Sequence, residues 1–99
     1  MILNIDKKFE EIGFIKIKED EYGAIYERKN EKYKYTQVLS FLHKARGGHI
    51  VQSYDKDLID KKGIGNTCVG LTVYEVQLCF KKMKKMGWSP DKNAIKMTF

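Results

Sequence analysis

The chain has 99 residues, 42% of them hydrophobic and 32% charged, with 19 Lys and Arg against 13 Asp and Glu for a formal net charge of +6. That length suits one domain and excludes an enzyme with separate cofactor and substrate lobes, and the apolar share argues against disorder throughout. No apolar run approaches the ~20 residues of a membrane span, and the stretch from Met1 to Phe14 lacks the order of basic, apolar and small residues that marks a secretory signal.

The first prediction in chain order is a short helix over residues 5–12. Ile5, Phe9 and Ile12 recur at i, i+4 and i+7, Asn4 can cap the start, and Gly13 can end it in the left-handed conformation. Four strands are then expected, over 14–19, 22–28, 33–44 and 48–54. In the first, Ile15 and Ile17 alternate with Lys16 and Lys18; in the third, both faces turn apolar between Val38 and Leu42, as in a central strand. Links such as Glu19-Asp20-Glu21 and Arg46-Gly47-Gly48 are short, which forces antiparallel neighbours and a meander.

Residues 55–71 read as a long loop. A capping box at Thr72 and Glu75 then opens a helix over 73–86, whose stripe of Val76, Cys79, Phe80, Met83 and Met86 is expected to face the core. Gly87 can stop it and Trp88 can fold back as its anchor, before a tail over 88–99 in which Ala94 to Phe99 could form a last strand. The fold class is therefore α+β: a four-stranded antiparallel meander covered by a C-terminal amphipathic helix, with a short N-terminal helix.

Few patterns carry chemistry. Gly65 to Thr72 resembles a phosphate loop in its glycine spacing, but Leu71 stands where the lysine belongs, leaving only anion capture by amides near Thr72. His43, His49, Cys68 and Cys79 lack the spacing of a zinc site, so no metal or other cofactor is expected. A small enzyme is an alternative, using Cys68 with a histidine and Asp55 as a nucleophile, or the carboxylates of Asp55, Asp57 and Asp60. Two cysteines are too few for a secreted disulfide scaffold, so a reduced cytoplasmic setting is expected, with one Cys68–Cys79 bridge left open.

Charge and aromatics point to binding. Residues 1–31 hold eight acidic and six basic groups, and residues 32–99 five acidic and thirteen basic ones. The basic half suits an acidic protein or a nucleic acid. The chain also holds six tyrosines, four of them in that half, suited to an interface or to base stacking. Candidate partner contacts are Tyr22, Tyr26, Arg28, Tyr33 and Tyr35 on the sheet. Arg46, Lys61 and Lys62 follow in loops, and Lys81 and Lys85 on the last helix.

The Thr72-Val73-Tyr74-Glu75 start, the run from Lys81 to Trp88 and the strand pair between Tyr35 and Tyr54 resemble small accessory proteins of phages and prophages of low-GC Gram-positive bacteria, over about residues 9–88. The Lys-, Ile- and Tyr-rich composition is similar too. The resemblance implies a host-cell factor that binds one host macromolecule, a class that includes anti-CRISPR and other anti-defence inhibitors; it assigns no site residue. Many of those inhibitors are acidic nucleic-acid mimics, and this chain is basic. The expectation is thus a non-enzymatic binding protein that docks a host protein, as monomer or homodimer and without a membrane partner. Binding of nucleic acid by the basic half is the alternative.

Overall fold

Helix α1 (Ile5–Glu11) starts where the Asn4 side chain accepts a hydrogen bond from the Lys7 amide at 3.1 Å. It stops in a Schellman turn. The Gly13 amide donates to the Glu10 carbonyl and the Phe14 amide to the Phe9 carbonyl, with Gly13 at φ +96°, where a side chain would be strained. The computed structural model describes residues 4–44, 48–57 and 68–88. The predicted contacts Arg46, Lys61 and Lys62, together with Asp60 and the tail strand over 94–99, lie outside the described residues.

Four strands follow: β1 (Ile15–Asp20), β2 (Gly23–Asn30), β3 (Tyr35–Leu42) and β4 (Ile50–Asp55). They pair antiparallel in the order β1-β2-β3-β4, a meander, and their ends fall one or two residues from those expected. Strand β3 is interior and buried through its centre, which accounts for its two apolar faces. Register places Tyr26 beside Leu39 and Ala24 beside Phe41, so these four share the face that both helices cover. Phe9 packs on Tyr26 with ring centroids 4.6 Å apart, and Phe14 meets Phe9 edge-on at 6.0 Å.

Strand β1 departs from simple alternation. A bulge between Lys16 and Lys18 puts Lys16 opposite Tyr26 and Glu19 opposite Ala24, so two charged side chains three apart face the helices. Ile15 and Ile17 remain exposed at 64% and 55%.

Helix α2 (Val73–Lys85) begins with the predicted capping box. The Glu75 amide donates to Thr72 Oγ1 at 3.1 Å, and the Thr72 amide to Glu75 Oε1 at 2.8 Å. It ends as α1 does, with the Trp88 amide donating to the Met83 carbonyl, Gly87 at φ +82°, and Trp88 folded back into the core. The face it buries differs from the expected stripe. Cys79 is buried and Met83 and Met86 pack against the core as expected, but Glu75, Leu78 and Lys82 are buried with them, while Val76 and Phe80 are exposed. At about 100° per residue, that is roughly a quarter turn about the helix axis. Two ion pairs account for the turn. Glu75 Oε2 lies 2.8 Å from Arg28 on β2, and Lys82 Nζ lies 2.8 Å from Glu19 on β1.

Candidate functional site

Two of the predicted contact residues hold the fold together. Tyr26 is buried, and its hydroxyl donates to Asp6 Oδ1 at 2.6 Å. The expectation that Tyr26 meets a partner is corrected by its burial. Burial and the adjacent Asp6 carboxylate push its phenol well above the usual range.

Arg28 is also committed internally. Its guanidinium lies 4.2 Å from the Phe14 ring centroid and donates to the Ile12 carbonyl and to Gln37 Oε1, besides pairing with Glu75. Gln37 donates onward to Ser53 Oγ at 2.8 Å, so one polar chain ties the end of α1, three strands and α2 together. These contacts are all internal, although its side chain is still 27% exposed.

Tyr22 and Tyr33, the exposed tyrosines among the predicted contacts, do not converge. Tyr22 lies in the β1–β2 turn and Tyr33 in the β2–β3 turn, at opposite ends of β2, which spans about 25 Å at the usual rise. Tyr35 is half-buried, within 3.5 Å of the Asn30 side-chain amide. Lys81 and Lys85 are exposed on α2.

A second charged group clamps α2 to β1. Lys82 and Lys16 both reach Asp6 and Glu19, with Lys16 at 2.8 Å from Asp6. Partial burial works against ionisation of both carboxyls. The hydrogen bonds and charges of the two lysines, with Tyr26 at Asp6, outweigh it and hold both below their ordinary values. The bond to Asp6, with Glu19 second, raises the Lys16 ammonium above its own.

The histidines of the nucleophile alternative lie apart from Cys68, whereas Asp55 follows Tyr54, which Cys68 bridges. Cys68 bridges Tyr54 near the end of β4, whereas His49 precedes Ile50 at its start, a separation of about 13 Å or more along the strand. His43 and His49 stack at 4.5 Å, and His49 stacks on Trp88 at 4.3 Å. Among the described residues no three His, Cys, Asp or Glu side chains group as a metal site. The loop expected over residues 55–71 is corrected at its start: Asp55 ends β4, Lys56 and Asp57 are helical, and the Asp57 amide donates to Asp55 Oδ1 as to a helix cap. No disulfide joins Cys68 to Cys79. Burial, and then Glu75, push the Cys79 thiol up to about 11, which keeps it protonated and unreactive. At the start of α2 the Glu75 carboxylate already takes the Thr72 amide that an anion would use.

The quarter turn of α2 leaves an apolar ridge facing outward. Val73, Val76 and Phe80 lie at i, i+3 and i+7, exposed at 77%, 37% and 59%. Beside the ridge an open groove of about 720 Å³ runs between β4 and the chain entering α2, lined by Val51, Tyr54, Cys68, Val69, Leu71 and Val76 among others. The Val69 amide donates to the Ser53 carbonyl at 3.0 Å and holds that wall against β4. Lys84 follows Phe80 by one turn and flanks the ridge, while Lys81 and Lys85 lie about 100° and about 140° round the helix from Phe80, on the side away from Val76. No family model matches this chain, and no curated protein or solved structure matches it. The site therefore stands on its geometry: an open apolar groove, an apolar ridge with the single aromatic Phe80, and Lys84 beside it. Lys84, Val73 and the outward position of Phe80 were missed in the sequence, because the stripe of Val76 and Phe80 reads equally well as core. The one local hint was Glu75 and Lys82, two turns apart and able to compete for the inner face.

Proposed function

We propose that this chain is a small non-enzymatic binding protein that docks a protein partner through the outward side of α2 and the groove beside it. The observation that carries the reading is the exposed ridge of Val73, Val76 and Phe80. Contiguous apolar side chains rimmed by polar ones mark interaction surfaces, and an aromatic anchor near a pocket is the usual centre of binding energy. Covering Phe80 alone contributes about 1–2 kcal/mol by area. The phage-like resemblance supports a host protein as the partner and an accessory, inhibitory role in the host cytoplasm, of the anti-defence kind.

Affinity capture from a bacterial lysate, with and without nuclease, tests the reading. Wild type is expected to retain one stoichiometric protein after nuclease treatment, and Phe80→Ala to lose it. Recovery of nuclease-sensitive material alone would contradict the reading and favour nucleic acid, for which Lys81, Lys84 and Lys85 are the supporting feature. Turnover abolished by Cys68→Ala in a folded protein would contradict the non-enzymatic part.

A further inference from the structure

We infer that the α2–β4 face takes an acidic amphipathic protein segment, its apolar side chains in the groove and its carboxylates on the exposed lysines of α2. The inference rests on the docking reading above and adds the chemistry of the occupant.

Charge on α2 is one-sided. Its single acid, Glu75, is buried and paired with Arg28. Its exposed side holds Lys81, Lys84 and Lys85, and no ion pair among the described residues engages them. A basic partner segment would bring like charges together without compensation, whereas carboxylates meet donors already in place. Apolar contact supplies most of the affinity and charge supplies the choice of partner.

A second copy of this chain fits less well. Each copy carries +6. Of the acids in its more acidic first third, Asp6, Glu11, Glu19, Asp20 and Glu27 already sit in ion pairs. An anionic bilayer shares the acidic and apolar character but cannot fill a groove walled by β4 and the 68–71 segment. A nucleic-acid duplex offers phosphate but little apolar surface for Phe80.

The test pans a displayed random-peptide library on the whole wild-type chain, with Phe80→Ala as counter-target. Peptides recovered are then titrated by fluorescence anisotropy against wild type, Phe80→Ala and the double variant Lys81→Glu, Lys84→Glu. Labelled single-stranded DNA and phosphatidylcholine–phosphatidylglycerol vesicles form parallel arms. Far-ultraviolet circular dichroism checks that each variant is folded; all three positions are exposed. The expected peptides share an apolar anchor with several Asp or Glu residues, and lose about tenfold or more in affinity with either variant. Phe80-dependent peptides that are neutral or basic would overturn the acidic chemistry and leave the docking face standing. Failure to recover any Phe80-dependent peptide would overturn the docking face itself. Tighter, Phe80-dependent binding of DNA or vesicles would replace the protein occupant by that one.

Discussion

Lys82 illustrates how little a residue's type says about its place. It belongs to a run of lysines that reads as a solvated face, yet its side chain is 4% exposed and pairs with Glu19 and Asp6. Its loss leaves two half-buried carboxylates with Lys16 as their one remaining cation, so Lys82→Ala should cost about 2 kcal/mol in denaturant unfolding; an unchanged midpoint would refute the clamp. The carboxyls of Asp6 and Glu19 are held low, so their contribution is present above the ordinary carboxylate range and lost as pH falls through their folded values. His49 acts in the same direction at milder pH. Burial first and His43 second hold its pKa below 6.5, and its Nδ1 accepts the Lys44 amide at 3.0 Å, a bond only an unprotonated Nδ1 can accept. The unfolded chain therefore takes up the proton first, and stability is full above the ordinary histidine value and falls below it. Thermal midpoints of wild type should drop between about pH 7 and about pH 5, and those of His49→Gln should drop less; parallel curves would contradict this assignment. Tyr26 and Arg28 show why internal pairs were missed in the sequence. Alternation puts both on one face of β2, but their partners Asp6 and Glu75 lie on other elements, and no local pattern announces such pairs.

At the scale of elements, what was legible was what is local. The helix caps, both Schellman ends and the β1–β2 and β2–β3 turns follow from neighbouring residues, and they appear where spacing put them. The facing of α2 and the bulge in β1 were not legible, because long-range ion pairs and one extra residue decide them. Glu75 concentrates two jobs, closing the capping box and pairing with Arg28. Glu75→Ala should therefore cost about 3 kcal/mol, more than the roughly 1 kcal/mol of a cap alone, as read from chemical unfolding; a loss near the cap value would mean that Arg28 gains nothing from the pair. At Gly23 the backbone of β2 lies close against β3. It has φ +140°, and a methyl group there would run into the Phe41 carbonyl oxygen. Gly23→Ala should destabilise by about 2 kcal/mol or more, and a neutral result in the same assay would show that the β2–β3 pairing gives way easily.

Across the molecule, the helix-covered side of the sheet carries the stability and the outward side of α2 carries the proposed function. The ion pairs of Arg28 and Lys82 gather around the core, and of the lysines that remain at the surface of α2, Lys84 lies beside the ridge. This division predicts that Phe80→Ala changes unfolding free energy by less than about 0.5 kcal/mol, as an exposed position should. The most direct test of the docking face places a photo-crosslinking amino acid at position 80, or at Tyr22 or Tyr33 in the two sheet turns, in living bacterial cells. Mass spectrometry then identifies what each position captures. The account predicts one protein adduct at position 80 that is absent at positions 22 and 33. An adduct at either turn with none at 80 would contradict it.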